Sequence, residues 1–335
     1  MSRALSLWFE GPGQISLREG GIPTPGADQV LVRSLRSGIS AGTEMLVYRG
    51  QFPESLPVDA TIESMAMGFA YPLKYGYAAV GKVIEVGSAV DPTWLGRRVF
   101  AFNPHESHFA VSPKALLPLP EGISNDDGVF IPNLETALTL LHDGTPLIGE
   151  KVIVLGQGIV GLLVTHLLAS MRLAQLITVD RYDRRREAAL MLGALRSFSP
   201  DDPKLAELRD LDLSYELSGA PAALNAAIRL TGYSGRVVVG SFYGNKRADL
   251  ELGGWFHRSR MQIISSQVST IQPALRGRWD SARRLQTVLS LLTSTQPQRL
   301  ISHRFPISRA PEAYRLLAEQ PEQALQVVLD YAETQ

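Results

Sequence analysis

The sequence predicts an α/β protein, a doubly wound parallel-sheet domain joined to a second, mostly antiparallel, barrel-like domain. Three observations predict it. A glycine-rich turn, Gly156, Gln157, Gly158, Ile159, Val160 and Gly161, follows an apolar β-branched run at 151–155 and precedes a second such run at 175–180 that ends in Asp180. Short β-like runs broken by Gly and Pro fill the chain before residue 120. From about residue 125 strand and helix patterns alternate, and after Val268 the alternation stops.

The elements follow in order. The chain opens directly into a strand-like segment with no secretory pattern. Runs at 30–35, 81–87 and 98–102 read as strands, and the Pro- and Gly-bearing stretch 118–122 as a closing loop. A helix is expected at 134–142, the first parallel strand at 151–155, a helix packed on it at 162–172 and a second strand at 175–180. Later strands are expected at 213–217, 236–239 and 262–265. Helices at 281–292 and 311–319 and a strand at 326–331 complete the chain. This order implies a discontinuous architecture, with residues 1–125 and 268–335 forming one domain and 126–267 the other.

Composition narrows the function. A chain of 335 residues favours two domains. Hydrophobic residues make up 45% and charged residues 20%, an ordinary globular balance. The formal net charge is zero, which gives no electrostatic reason to expect a nucleic-acid or membrane partner. No apolar run approaches the ~18 residues that span a bilayer. Cysteine is absent, so disulfides and thiolate metal sites are excluded, in keeping with a cytoplasmic setting.

The spacing of the glycine turn has a chemical reason. The first glycine permits a tight turn, the second lets a pyrophosphate approach the backbone, and the third lets helix and strand pack closely. The helix start then offers N–H groups and a positive dipole end to phosphates. Asp180, about 20 residues further on, accepts hydrogen bonds from a ribose diol and repels a 2′-phosphate. NAD is therefore expected. Arg181, Arg184, Arg185 and Arg186 keep NADP open. This is the signature of a Rossmann dinucleotide-binding domain.

With these residues in place, the chain resembles the medium-chain dehydrogenase/reductase superfamily of alcohol dehydrogenase and quinone reductase. The resemblance runs over nearly the whole length. Gly38, Ile39, Ser40, Ala41, Gly42, Thr43 and Glu44 are similar to the family's C-G-I-C-x-T-D. The stretch Tyr75, Gly76, Tyr77 through Gly81 to Gly87 resembles G-H-E-x-x-G-x-V-x-x-V-G. Leu119, Pro120, Glu121 and Gly122 and the nucleotide fingerprint follow in the family's order. The runs 40–44, 75–77, 240–244, 256–260 and 265–268 are similar to the branch around bacteriochlorophyllide dehydrogenase and the threonine dehydrogenase-like proteins. The resemblance implies a GroES-like catalytic domain beside the Rossmann domain, hydride transfer with NAD(P), and a homodimer.

The same resemblance exposes a departure. Zinc-type members hold a catalytic metal with Cys, His and a further Cys or Glu, and the metal polarises the alcohol oxygen. Here the cysteine position falls on Ser40 or Ala41, the histidine position on Tyr77, and the third near Pro132 and Asn133, with Glu135 close by. Neutral hydroxyls and an amide are poor zinc ligands. The loop 102–108 is too short for the family's structural zinc lobe. No metal is expected. The opposing reading recruits Glu44, Glu135, His105 and His108, but the latter two are expected in a surface loop.

Without a metal, Thr43 matches the family's relay hydroxyl, and Tyr77 faces the same cleft as a candidate general acid or a space-filler. Glu44 is expected either to orient Thr43 or Tyr77 or to pair with an arginine. Glu135 is expected to act as a supporting or helix-start residue. The resemblance also carries over cofactor contacts: Thr136 near the nicotinamide, Ser218 and Gly219 near the adenosine ribose, and Gly240, Phe242, Tyr243, Ser266, Gln267 and Val268 at later strand ends. His257, Arg258 and Arg260 read as a solvated or interface face. The loop 51–70, with Phe52, Met65, Met67 and Phe69, reads either as the lining of a partly hydrophobic pocket for a small-molecule substrate or as a lid packed on itself. The expected function is interconversion of a secondary alcohol and a ketone without zinc. An enone or quinone reductase is the first alternative, and a non-catalytic dinucleotide-binding protein the second.

Overall fold

A computed structural model describes residues 3–53, 55–56 and 68–331. The chain divides into two units, residues 1–132 with 296–335, and residues 133–295.

The unit at 133–295 contains a six-stranded sheet in the order Arg196–Phe198, Gln175–Val179, Lys151–Leu155, Leu211–Glu216, Thr231–Val239, Gln262–Ser265, every neighbouring pair parallel. Winding starts at Lys151–Leu155 and runs outward in both directions, which is the doubly wound order of dinucleotide-binding sheets. Val152, Ile153 and Val154 are each 0% exposed, as a central strand covered on both faces requires. Helices Ile159–Ala169, Asp183–Met191 and Pro221–Leu230 make the crossovers. Ile153, Ile177, Leu224, Ala227 and Val237 share one core cluster.

Two details differ from the sequence expectation. The first crossover helix starts at Ile159, inside the glycine turn, because Gly161 is a helical residue and Gly158 is its N-cap. The helix Ser281–Thr295 belongs with the parallel-sheet unit. Its Arg284 pairs with Glu135 at 2.8 Å and donates to Thr139 at 3.3 Å, so a nearly buried ion pair ties it to helix Ile131–Gly144.

The other unit carries a seven-stranded sheet in the order Ile301–Pro306, Gln326–Asp330, Val30–Ile39, Ala79–Val86, Arg98–Ala101, Leu116–Pro118, with His108–Val111 also paired to Val30–Ile39. All its pairs are antiparallel except Ile301–Pro306 with Gln326–Asp330, which helix Ala310–Glu319 connects. That helix buries Ala310, Ala313, Tyr314 and Leu317, a one-face pattern at helical spacing. They join Leu7, Phe9, Met45, Tyr75 and Leu329 in one core. A hairpin, Arg3–Gly11 with Gln14–Gly21, completes the unit. No helix among the described residues is long and apolar enough to cross a membrane.

Ile177 is 0% exposed at the centre of the parallel-sheet core. Ile177→Ala is expected to lower the unfolding free energy by ~3 kcal/mol, measured by urea titration.

Candidate active site

The glycine turn answers its own spacing. Gly156 has φ +95°, and a Cβ there would fall 2.5 Å from the Ser218 backbone. A Cβ on Gly161 would lie 1.9 Å from the Gly156 carbonyl oxygen, whereas one on Gly158 meets nothing within 4 Å. The chain itself therefore demands the first and third glycines, and the second borders open space. Gly158 provides no side-chain cap to the helix Ile159–Ala169, leaving the first-turn N–H groups of Ile159, Val160 and Gly161 to other acceptors. These residues fit a bound pyrophosphate.

Gln157 turns the other way. Its side chain is fully buried; Nε2 donates to the carbonyls of Val154 and Gly156 at 3.2 and 3.1 Å, and Oε1 accepts from the Thr165 hydroxyl at 2.9 Å. It braces the turn from beneath. Its backbone N–H donates to Asp180 Oδ2 at 2.7 Å, and Asp180 Oδ1 accepts from the Tyr182 N–H at 2.9 Å. Each carboxylate oxygen keeps a further lone pair for a ribose hydroxyl. Arg185 lies 3.9 Å from Asp180. Burial pulls the Arg185 guanidinium below its usual value, and Asp180 works against that shift. Arg181 and Arg185 both sit over the Tyr182 ring, at 4.6 and 4.9 Å, and Arg186 donates to the Asp180 carbonyl at 2.8 Å and pairs with Asp183.

The later strand ends are organised by a residue the sequence analysis missed, Glu216. It is fully buried. Its Oε1 accepts from the N–H of Ser218 at 2.8 Å and from the Ser218 hydroxyl at 2.5 Å, and its Oε2 from the Tyr243 hydroxyl at 2.5 Å. Burial, reinforced by that bond, pushes the Tyr243 phenol far above its usual value, so it stays a donor. The Gly219 N–H donates to Ser241 Oγ at 2.9 Å. Gly240 passes so close to Leu140 and Leu217 that a Cβ would meet each at 2.6 Å. Phe242 is 44% exposed. The Ser266 hydroxyl donates to Asp143 at 2.6 Å, whose carboxyl is pushed up by burial. Gln267 Oε1 accepts from the Ser269 N–H at 2.7 Å, and Val268 is half-buried. Thr136 lies half-buried on helix Ile131–Gly144. Beside it, Glu135 holds Arg284, and burial raises the Glu135 carboxyl despite that cation. His257, Arg258 and Arg260 are exposed.

In the other unit, three hydroxyls come together. Tyr77 donates to Ser40 Oγ at 2.5 Å, and its hydroxyl oxygen lies 3.5 Å from Thr43 Oγ1. Ser40 follows strand Val30–Ile39, and Thr43 opens the short helix Thr43–Tyr48. Glu44 points away from them into the core. It is fully buried and, among the described residues, pairs with no arginine: Oε1 accepts from the Ser40 N–H at 2.8 Å, and Oε2 lies 3.0 Å from His105 Nε2 and accepts from the Tyr314 hydroxyl.

The expected surface placement of His105 and His108 is wrong. They are 0% and 6% exposed, because each finds polar partners inside. His108 Nδ1 lies 3.0 Å from Ser107 Oγ, and burial together with Arg33 holds its imidazole below the usual value. Phe52 and Phe69 stack at 4.9 Å and Phe69 meets Tyr71 at 5.1 Å, an aromatic group that packs on the core. Met65 and Met67 lie outside the described residues.

These donors do not fit a catalytic zinc. Ser40 and Tyr77 offer neutral hydroxyls, and Glu44 and His105 are engaged with each other. Among the described residues no three His, Cys, Asp or Glu side chains group as a metal set.

Known proteins resemble this chain in sequence and fold. The zinc-binding dehydrogenase family pattern matches residues 160–292. The 2-desacetyl-2-hydroxyethyl bacteriochlorophyllide A dehydrogenase of Cereibacter sphaeroides is 26% identical over 350 residues, spanning 99% of both chains. The alcohol dehydrogenase RspB of E. coli CFT073, solved with NADH, superposes with a TM-score of 0.80 at 22% identity over 99% of this chain and 100% of that one. A zinc-binding dehydrogenase of Sinorhizobium meliloti 1021, solved with NADP, superposes with a TM-score of 0.77 at 21% identity over 98% and 100%.

The two glycines give opposite expectations. Gly158→Ala should leave stability within ~0.5 kcal/mol of wild type yet weaken NADH binding about tenfold, a loss of ~1.4 kcal/mol. Gly161→Ala should cost about 3 kcal/mol of stability. Thermal melts and NADH fluorescence titration separate the two.

Proposed function

As a member of the medium-chain, zinc-type alcohol dehydrogenase-like family this chain is an oxidoreductase, and we propose that it interconverts a secondary alcohol and its ketone with NAD, without a catalytic zinc. The observation that carries this reading is the Ser40, Thr43 and Tyr77 hydroxyl cluster, standing where the family's motif has metal ligands and its relay hydroxyl.

The nicotinamide nucleotide supplies the hydride acceptor, or the donor in reverse. Gly158, Ile159, Val160 and Gly161 hold its pyrophosphate and Asp180 its adenosine ribose. Ser218 and Gly219, fixed by Glu216 and Ser241, bound the same site. Thr136, Gly240, Phe242, Tyr243, Ser266, Gln267 and Val268 line the rest. NAD is favoured because the Asp180 charge opposes a 2′-phosphate, and Arg181 and Arg185 are stacked on Tyr182.

Tyr77 handles the proton that accompanies the hydride. Its oxygen accepts the alcohol proton as the carbonyl forms, its own proton moves to Ser40 or Thr43, and that hydroxyl passes its proton on to water; the reverse order serves ketone reduction. Thr43 orients the substrate oxygen. Glu44 fixes the backbone that carries both hydroxyls. The substrate is a small, partly hydrophobic molecule, and the cysteine-free chain suits the cytoplasm.

The protein works as a homodimer. Strand Gln262–Ser265 is the outer strand of the parallel sheet, with Ile263 36% exposed, and such an unprotected edge pairs with a second copy about a two-fold axis.

Elemental analysis of untagged protein should find zinc far below one per chain, with NAD-dependent oxidation of secondary alcohols in a substrate panel. Stoichiometric zinc would overturn the metal-free reading. Activity confined to enones or quinones would reassign the reaction to alkene reduction, and nucleotide binding without turnover would leave only a binding protein. Tyr77→Phe should lower kcat about 100-fold with NADH affinity unchanged. Ile263→Lys should convert the dimer to a monomer by sedimentation velocity.

A further inference from the structure

We propose that His105 and Glu44 are positioning residues for the Ser40 and Tyr77 hydroxyl pair, acting through the backbone of Ser40. The inference rests on the reading of that pair as the proton-handling group.

Both side chains are fully buried. Around them runs a chain of polar contacts: Tyr314 hydroxyl to Glu44 Oε2, Glu44 Oε2 to His105 Nε2 at 3.0 Å, His105 Nδ1 to Ser37 Oγ at 2.7 Å, and Ser37 Oγ to the Tyr331 hydroxyl at 2.8 Å. Where Glu44 is ionised it only accepts, and His105 Nε2 then donates to it. In the neutral imidazole, Nδ1 then accepts from Ser37, and Ser37 from Tyr331. Burial raises both phenols well above their usual value, keeping Tyr314 and Tyr331 as donors. Every polar atom named has a partner.

One contact leads from this chain to the hydroxyl pair. Glu44 Oε1 accepts from the Ser40 N–H at 2.8 Å, and Ser40 Oγ accepts from Tyr77 at 2.5 Å. Glu44 also directly follows Thr43. The carboxylate therefore fixes the loop that holds the serine and the helix start that holds the threonine. A second restraint converges on the same place. Gly76, the residue before Tyr77, approaches the imidazole so closely that a Cβ would lie 2.7 Å from it, so the ring of His105 also sets the path of the backbone leading into Tyr77.

Removing the donor at residue 105 would leave a buried carboxylate short of a partner. Glu44 would turn to recover one, and the Ser40 backbone would follow. A displacement of about 1 Å is enough to break a hydrogen bond and to misplace a reacting group.

The test uses the full-length protein labelled with 13Cζ-tyrosine. Tyr77→Phe identifies the Tyr77 resonance, and Ser40→Ala gives its position without the serine partner. His105→Phe keeps a ring but has no donor, and is expected to move the Tyr77 resonance more than halfway toward the Ser40→Ala position. His105→Gln places an amide donor toward Glu44, and the resonance should stay near wild type. Tyr314→Phe removes a donor from the same oxygen with the ring still packed, and should shift the resonance in the same direction; it decides the question if His105→Phe does not fold. A Tyr77 resonance unmoved in His105→Phe, or in Tyr314→Phe where that variant decides, overturns the proposal. So does His105→Gln moving it as far as His105→Phe. The readout needs no turnover, so a wild-type protein inactive on alcohols would overturn the proposed reaction while this test still stands.

Discussion

The antiparallel pairing of Gln326–Asp330 with Val30–Ile39 is the constraint on which the rest depends. It joins segments near opposite ends of the chain; Arg36 and Asp330, 294 residues apart, meet in an ion pair of 2.5 Å. Closing so long a loop is entropically unfavourable, though the cost grows only slowly with length. Val327, Val328 and Leu329 are each at most 1% exposed, and burying such side chains contributes roughly 1.5–3 kcal/mol apiece. The nucleotide-type unit is therefore an excursion of the chain between two parts of a single sheet-bearing unit. The same pairing sets Leu329 opposite Ser37, and Tyr331, just beyond the strand, reaches the Ser37 hydroxyl. The polar chain ending at Ser40 thus hangs from the strand pair that closes the fold.

The nucleotide-type unit was legible in the sequence because its demands are local. The first strand, the glycine turn, the helix and the acid span residues 151–180, and the first and third glycines are required by contacts within that stretch or with the neighbouring turn at Ser218. A buried central strand must be apolar throughout, and 151–155 is. Less local features were harder. Helix Asp183–Met191 opens with arginines that face Tyr182 and Asp180 rather than making an apolar stripe, and strand Arg196–Phe198 is too short to show a period. The helix Ser281–Thr295 reads correctly as a helix, but its place is decided by Arg284 meeting Glu135, 149 residues away.

The hydroxyl site shows the limit more sharply. Motif order pointed to Ser40, Thr43 and Tyr77, and these do come together. Glu44 was read as an orienting residue or an arginine partner, and its actual partners, His105 and Tyr314, lie 61 and 270 residues away. His105 and His108 were misplaced on the surface because their segment is polar in one dimension and satisfied only in three. Glu216 was passed over for a related reason. A carboxylate at the end of an apolar strand looks exposed until the donors that fold over it, Ser218 and Tyr243, are in view.

A metal site and a hydroxyl site ask different things of the same scaffold. Zinc needs ligands whose lone pairs converge on one point while a coordination position stays open. An acid and an imidazole of the right chemical type, Glu44 and His105, instead engage protein partners, and both ring nitrogens of His105 are engaged. Turning either toward a metal would strand Ser37, Tyr331 or Tyr314 among buried groups, at about 1–3 kcal/mol for each polar atom left without a partner. The network is self-consistent as it stands: Glu44 meets three polar partners, the Ser40 N–H, His105 and the Tyr314 hydroxyl, and the first of these fixes the residue that carries a site hydroxyl. That supports the metal-free reading proposed above more directly than a catalogue of missing ligands does, since it gives each residue near the vacated positions a specific alternative occupation.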